Sequence, residues 1–166
     1  LRSSEERLQI AKSAAKLGIN DHNLISGQVV WDGRMRDIWG IRPDEPTSYE
    51  DFLAGVHPDD RAAMEASIGR DLNSPGSGEY HVEFRVINRV DHRVRHVAAE
   101  GKIFFDGGRA VRSCGTVRDV SERKRLEEEL QERRREMELL HGQQVAMHTA
   151  SAIAHELNQP LISISN

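Results

Sequence analysis

An abrupt change of composition near Val120 constrains the fold more than any other feature of the chain. Segment 122–138 consists mostly of Glu, Arg, Lys and Gln, whereas the residues before it mix apolar, polar and turn-forming types. A segment so rich in charge cannot form a core and is typical of a solvated helix. Because 166 residues suit one domain with an extension, we predict a compact domain followed by a long helix.

One heptad register runs through this C-terminal segment. Alternating steps of four and three residues fall on a mostly apolar series: Leu126, Leu130, Arg133, Met137, Leu140, Gln144, Met147, Ser151, Ala154, Asn158 and Leu161. Because Arg133 and Gln144 interrupt the seam, the pattern predicts a marginal parallel coiled coil, and therefore a homodimer. A single solvated helix is the alternative.

Upstream of Val120, turn residues separate short apolar segments of two kinds. Helical spacing marks 1–17, with a capping-box pattern at Ser3 and Glu6 and an expected end at Gly18. Further helices are predicted at 35–39, 49–56 and 59 or 60 to 72, and strands at 19–31 as a hairpin and at 79–87, 93–105 and 110–120 as a meander. These elements predict an α+β domain with a five-stranded antiparallel sheet and small helices.

Charge and composition exclude several classes of protein. The net charge of -4 provides no basic surface for nucleic acid. Cys114 is the only cysteine, which excludes an intramolecular disulfide and a four-cysteine zinc site. No apolar run reaches the roughly 18 to 20 residues that span a bilayer, and no signal peptide is present. We expect a soluble cytoplasmic segment, cut at both ends from a longer chain.

The clearest chemical signal is His-Glu-Leu-Asn-Gln-Pro-Leu, from His155 to Leu161. Since Ala154 occupies position d of the heptad, His155 falls at e, beside the seam, where a large partner can reach it. Glu156 can accept a proton from one imidazole nitrogen and so activate the other towards a phosphoryl group. Pro160 is expected to open or kink the helix beyond the histidine.

Three other interpretations of this segment are open to the residue types alone. His155 could be an ordinary surface histidine beside a glutamate. A zinc protease would need a second histidine at Gln159. A metal shared by His141, His148 and His155 would have to bridge about 10.5 Å between successive side chains, because seven residues of helix span that distance. We therefore predict no metal site.

The segment resembles the H-box of sensor histidine kinases from two-component systems. The resemblance implies that His155 is the phosphoacceptor, that Glu156 is the acid/base, and that Gln159 is a candidate for orienting water during dephosphorylation. It also implies a homodimer, a response regulator that receives the phosphoryl group, and a catalytic domain that binds ATP. That catalytic domain is expected elsewhere in the parent chain, so the piece would be inactive alone.

A second resemblance covers about residues 18–124. The sequences Val-His-Pro-Asp-Asp-Arg at 56–61 and Gly-Thr-Val-Arg-Asp-Val-Ser-Glu-Arg-Lys at 115–124 are similar to those of PAS domains. The two resemblances imply four parts: an N-terminal linker helix at 1–17, a PAS sensory domain at 18–120, a coiled-coil signalling helix at 121–148, and the start of a dimerisation and histidine-phosphotransfer domain at 149–166.

Asp119 stands where the predicted sheet meets the predicted helix. With Glu122 three residues later it forms an N-terminal capping pattern. In the family the matching Asp-Val-Ser segment couples the sheet to the output helix. We therefore expect Asp119 to cap the helix, to couple sheet and helix, or to do both.

The ligand of a PAS domain has to be inferred from its pocket, because the family holds haem, flavin, small acids or no ligand. Haem-binding relatives offer an axial histidine on the long helix, and 61–72 contains none, so haem is disfavoured. Flavin photosensors carry a reactive cysteine on a central helix, whereas Cys114 lies on the last predicted strand. One aromatic set could line a pocket or fill the core, and we interpret it as core: Trp31, Trp39, Phe52 and Phe84.

No ligand site is predicted. His57 is assigned to a loop hydrogen-bond network, and the histidines in or beside strands are interpreted as incidental: His22, His81, His92 and His96.

The sequence thus predicts a sensor in which a PAS domain controls, through a dimeric coiled coil, ATP-dependent phosphorylation of His155 and transfer to a response-regulator aspartate. Two alternatives stay open. One is a PAS dimerisation module in which His155 has no phosphoryl role, and the other is a haem or flavin sensor.

Overall fold

The structure, a computed structural model, describes residues 2–73 and 76–164, with side chains described as far as residue 159. The chain divides into two compact units, Leu1–Glu122 and Arg123–Asn166. The first unit contains, in order, α1 (Arg2–Ala15), β1 (Leu17–Asn23), β2 (Val29–Trp31), α2 (Gly33–Trp39), α3 (Tyr49–Gly55), α4 (Pro58–Asn73), β3 (Glu79–Ile87), β4 (Val94–Asp106) and β5 (Arg109–Asp119). A long helix, α5 (Ser121–Ile164), starts at the end of the first unit and continues through the second.

The five strands form one antiparallel sheet in the order β2-β1-β5-β4-β3. The predicted α+β class and five-stranded sheet are therefore confirmed. The hairpin between β4 and β5 turns at Gly107 and Gly108, whose φ angles of 55° and 80° suit the tight turns that favour glycine. The predicted turn at residues 74–75 lies outside the described residues.

The N-terminal helix ends earlier than the sequence predicted. Lys16 adopts a φ of 53° and terminates α1, so Leu17 already begins β1. Gly18 is therefore no helix end: it lies within β1, where a Cβ would approach the Met35 amide nitrogen to 2.8 Å. The glycine is needed because α2 crosses close to the strand. Ser3 lies inside α1 rather than at its cap, since the helix starts at Arg2.

Asp32 joins the first elements of the unit. Its Oδ1 accepts hydrogen bonds from the Ile19 amide at 3.0 Å and the Met35 amide at 2.9 Å, and its carboxylate pairs with Lys12 of α1. Because α1 buries none of its own side chains, this ion pair is a polar tether between the helix and the domain.

The hydrophobic core lies between one face of the sheet and helices α2 to α4. Its buried members are Val29, Trp31, Met35, Ile38, Trp39, Ile41, Val56, Met64, Phe84, Val86, Val97, Ala99 and Val117. Trp39 is 2% exposed, and its indole Nε1 donates to the Phe52 carbonyl oxygen at 3.2 Å. The core thus anchors α3 through its backbone as well as through its rings.

Helix α5 has 44 residues, which corresponds to about 66 Å. Every side chain from residue 125 to 159 is exposed. The helix continues past Pro160 to Ile164, so the proline does not end it, and no break marks the predicted division at 148/149. The side chains of Pro160 and Leu161 and the last two residues lie outside the described part. None of the described helices has an apolar stretch long enough to cross a membrane.

Candidate functional sites: an internal cavity and the helix around His155

The first unit contains a mostly apolar cavity of about 310 Å³ between the sheet and its helices. Its lining includes aromatic rings, polar side chains and one glycine: Asn20, His22, Trp31, Tyr49, Phe52, Ser67, Asp71, Tyr80, Phe84, Ser113 and Gly115. The sequence predicted no ligand site. A cavity of this kind, apolar with a few convergent polar groups, is the usual form of a small-molecule site.

The strand register explains how the sheet builds the cavity floor. One row across the sheet consists of Tyr80, Gly101, Gly115, Asn20 and Trp31, and the next consists of Ile103, Ser113, His22 and Val29. The two rows are two residues apart on each strand that they share, so their side chains point to the same face. Cys114 lies between the rows in sequence and therefore faces the opposite side of the sheet.

The side chain of Tyr80 extends from the edge strand over Gly101 and Gly115, the two glycines in its row. A Cβ on Gly101 or Gly115 would overlap the Tyr80 hydroxyl. The absence of side chains at both positions allows the phenol ring of the edge strand β3 to reach the central strand β5. Burial raises the pKa of Tyr80, and a side-chain hydrogen bond with Ser113 partly opposes that shift. The phenol therefore stays protonated at neutral pH.

Four stacked rings run along the helical side of the unit. Tyr49 and Phe52, one turn apart on α3, lie with ring planes at 22° and centroids 6.0 Å apart. The stack extends from Phe52 to Trp39 at 5.7 Å and from Tyr49 to His22 at 5.9 Å. Burial lowers the pKa of His22, and the negative charges of Asp21 and Glu50 partly oppose this. The imidazole is therefore mostly neutral near pH 7.

The sequence analysis interpreted three residues of this site as core and predicted no ligand site. Trp31 and Phe84 belong to the buried core, and Phe52 packs against it. All three rings also line the cavity, so they serve both as core and as pocket wall. His22, interpreted as incidental, lines the cavity. Tyr49 and Tyr80 were missed, although Tyr80, Val82 and Phe84 alternate along one strand and could have been placed on one face.

Comparison with known proteins adds the family. The family model for the PAS fold matches residues 28–117, more than half of the chain. The chain belongs to the PAS family. A blue-light-activated histidine kinase of Brucella anthropi is 31% identical over 125 residues, and the sensor protein FixL of Bradyrhizobium diazoefficiens is 30% identical over 128 residues. These matches cover 75% and 77% of this chain but only 24% and 25% of the relatives, so the chain spans about a quarter of their length.

A solved structure supports the same assignment. The sensory box histidine kinase/response regulator of Burkholderia thailandensis is 32% identical, with a TM-score of 0.64, and the match covers 79% of this chain and 97% of that chain. This PAS domain is therefore a sensory domain related to those of histidine kinases.

The segment 56–61 fastens α4 of the PAS domain to the edge strand β3. The Asp60 carboxylate accepts hydrogen bonds from the Arg85 amide at 2.9 Å and from its guanidinium at 2.6 and 3.1 Å. The His57 amide donates to the Arg85 carbonyl oxygen at 2.8 Å. His57 Nδ1 accepts from the Asp59 amide at 3.3 Å, so this histidine takes part in the loop network and not in the cavity.

Replacing Asp60 by Asn is expected to lower the thermal unfolding midpoint at neutral pH, with a smaller loss in acid. The Arg85 hydrogen bond holds the pKa of Asp60 below its usual range, although burial opposes this. A carboxylate with a lowered pKa stabilises the fold above its unfolded pKa of about 3.9, and that contribution disappears as pH falls through the folded pKa. Thermal unfolding of wild type and Asp60→Asn at about pH 7 and pH 3 measures this. Asp59→Asn, at a 73% exposed carboxylate, is the control. A pH-independent difference would contradict the prediction.

At the junction of sheet and helix, Asp119 Oδ1 accepts a hydrogen bond from the Ser121 amide at 3.0 Å. Because α5 begins at Ser121, Asp119 lies two residues before the helix and not at the formal cap, yet its carboxylate satisfies the first helical amide. The Ser121 hydroxyl accepts from the His96 amide at 2.9 Å, and the Val120 amide donates to the His96 carbonyl at 2.8 Å. Ser121 and His96, which sequence reasoning did not connect, thus fix the helix start to β4.

The helix around His155 presents its predicted site residues to solvent. Gln159 Nε2 lies 3.5 Å from His155 Nε2, at the outer limit of a hydrogen bond. Glu156 makes no described contact with His155, because neighbouring residues on a helix point in directions about 100° apart. Its acid/base role stays a prediction. Among the described residues no three His, Cys, Asp or Glu side chains come together as a metal site.

Proposed function

We propose that this chain is the sensory and phosphoacceptor part of a two-component sensor histidine kinase, in which the PAS domain controls ATP-dependent phosphorylation of His155. The observation that carries the proposal is a single helix that starts from the PAS sheet and presents His155 in a His-Glu-Leu-Asn-Gln-Pro-Leu sequence. The relatives that share the PAS domain and are named histidine kinases support it.

Parallel dimerisation through α5 accounts for the apolar side chains that the helix exposes. The leucine and methionine side chains that the structure describes in this helix are between 51% and 74% exposed, including Leu126, Leu130, Met137, Leu140 and Met147. A 44-residue helix with such a seam has no means of burying it within its own chain segment. A second copy in the same register would cover these side chains and place the two histidines on equivalent faces of one dimer.

A second apolar stripe begins at Ala146. It supports a change near His155 from a two-stranded coiled coil to a bundle of four helices. It runs through Ala150, Ile153 and Leu157 beside the heptad seam, and all four residues are exposed. Together the two stripes cover an arc of about 160° around the helix. A two-stranded coiled coil needs a narrower arc, whereas a four-helix bundle covers one this wide. His155 borders this arc and stays accessible.

The chemistry is a phosphoryl transfer between nitrogen and oxygen. An imidazole nitrogen of His155 attacks the γ-phosphorus of ATP, a P–N bond forms, and the P–O bond to the departing ADP breaks. Glu156 accepts the proton from the imidazole as the new bond forms. A response-regulator aspartate then takes the phosphoryl group and regenerates the histidine. We place the reaction in the cytoplasm, where ATP is available, with the ATP-binding catalytic domain supplied by the parent chain.

The direct test supplies the catalytic domain of the parent kinase in trans with labelled ATP. The protein should acquire label that is lost in acid and retained in alkali, because a phosphoramidate is acid-labile. Phosphoserine would show the opposite behaviour. Acid-stable label, or none with an active catalytic domain, would contradict the proposal.

Replacing Asp119 by Ala in the parent kinase is expected to change signal coupling more than stability. Loss of a cap costs about 1 kcal/mol, so the PAS domain should stay folded. The hydrogen bond to Ser121 fixes the first turn of α5, and its loss should alter the ratio of His155 labelling with and without stimulus. Asp106→Ala, at an exposed aspartate of the hairpin between β4 and β5, is the control. A ratio identical to wild type would sink the coupling role.

A further inference from the structure

The volume of the cavity in the PAS domain matches a small ligand. An apolar cavity of about 150 Å³ holds benzene, so 310 Å³ corresponds to about twelve non-hydrogen atoms. A flavin nucleotide and a haem are both much larger. The residues also lack the groups that those cofactors use, because the lining residues of α4 are Met64, Ser67, Ile68, Asp71 and Leu72, and Cys114 faces the other side of the sheet. The structure therefore does not fit either cofactor.

The cavity walls favour a flat ring. The rings of Tyr49 and Phe52 lie nearly parallel along the helical side, and Trp31 and Phe84 contribute further aromatic surface. Flat aromatic ligands gain dispersion energy against such walls, in offset-stacked or edge-to-face contacts.

The polar groups of the cavity are uncharged, with one exception. The Tyr80 hydroxyl is held over Gly101 and Gly115 and lies beside Ser113, and it offers a hydrogen-bonding end to the site. Asn20 adds an uncharged amide, whose Oδ1 accepts a hydrogen bond from Trp31 Nε1 at 2.9 Å. No lysine or arginine lines the cavity among the described residues, and Asp71 adds a carboxylate to the wall. An anionic ligand would therefore lose its hydration without gaining a counter-charge.

We infer that this PAS domain senses an uncharged aromatic molecule of one or two rings, whose single polar group hydrogen-bonds to Tyr80 and Ser113. The inference rests on the sensory role proposed above and names the class of ligand. It does not depend on phosphoryl transfer to His155.

Calorimetric titration of the protein with three probes tests this class. The probes are 2-naphthol, with about the right number of atoms, naphthalene-2-carboxylate as its anionic counterpart, and flavin mononucleotide. Naphthol should bind, and the carboxylate should bind about tenfold or more weakly because its charge is desolvated without a partner. The flavin should give no binding heat. Equal affinity for the two naphthalenes, no binding of naphthol, or binding of the flavin would overturn the inference.

Two pairs of variants locate the binding. Tyr80→Phe retains the ring over the glycines but removes the hydroxyl, and should weaken naphthol binding about threefold to tenfold. Its control is Thr116→Val, which removes a hydroxyl from the opposite face of β5. Ser67→Leu should fill the cavity and eliminate binding, whereas Ala66→Leu, at an exposed position of the same helix, should not. Unchanged binding in both Tyr80→Phe and Ser67→Leu would refute the site.

The titration and the labelling of His155 can fail separately. If no probe binds while His155 is labelled normally, the ligand class is wrong and the phosphoacceptor assignment stands. If naphthol binds while His155 acquires no label, the kinase role fails and the ligand class stands.

Discussion

Replacing His155 by Gln is expected to abolish phosphoryl labelling in trans without loss of fold. Glutamine has no nitrogen that can form the phosphoramidate, whereas the exposed position of residue 155 means that little packing is lost. Circular dichroism and thermal unfolding check the fold, and transfer from labelled ATP measures the reaction.

The matched controls are His148→Gln and His141→Gln, which remove exposed histidines one and two heptads upstream on the same helix face. Both should be labelled like wild type. Glu156→Ala should slow labelling by about 100-fold or more, as expected for a lost general base. Label that persists in His155→Gln, or that disappears in His148→Gln, would move the phosphoacceptor elsewhere.

The double substitution Leu130→Glu and Leu140→Glu is expected to convert a dimer into a monomer. Each leucine is at least half exposed in the single chain and would be buried in the dimer, which stabilises association by about 1.5–3 kcal/mol per side chain. Since both copies carry the changes, the dissociation constant should rise by at least about 100-fold. Light scattering and sedimentation equilibrium measure the mass of the species.

Leu139 provides the control for this experiment. It is 68% exposed and adjacent to Leu140 but lies outside the heptad seam, so Leu139→Glu should leave the dimer intact. A wild-type protein that is monomeric at high micromolar concentration would contradict the coiled coil. Equal loss of association in Leu139→Glu and in the double variant would contradict its register.

Much of the fold was predictable because its signals are local. The predicted limits of β3 agree with the structure, and those of β4 and β5 differ by one residue, since period-two alternation and turn residues mark both ends. The predicted end of α1 was wrong because Gly18 is required by a contact with a residue from another element. Gly18 looks like a helix terminator in sequence, but it is a glycine because the backbone of Met35 crosses it.

The cavity could not be predicted, because it depends on the pairing of strands far apart in sequence. Gly101 and Gly115 are ordinary strand glycines until the register places them side by side beneath Tyr80. His22 likewise resembles a surface residue in the sequence, and only the pairing of β1 with β5 places it beside Ser113. The position of His155 on the helix, in contrast, follows from counting along one helix, and its place beside a dimer seam stays a prediction.

The role of Asp119 was predictable from the sequence only in part. The sequence indicated a capping role, and the structure shows its carboxylate on the first amide of α5. The structure adds a contact that the sequence did not indicate, because the Ser121 hydroxyl accepts a hydrogen bond from the His96 amide on β4. This link needs the pairing of β4 with β5, which local sequence does not reveal.

The position of the phosphoryl group tests the central claim most directly. After transfer from ATP in trans, the protein is digested in mildly alkaline buffer, which preserves phosphoramidates, and the phosphopeptide is fragmented in a mass spectrometer. We expect one modified residue, His155, within a peptide that contains the His-Glu-Leu-Asn-Gln-Pro-Leu sequence. Modification of His141, His148 or a serine, with His155 unmodified, would contradict it.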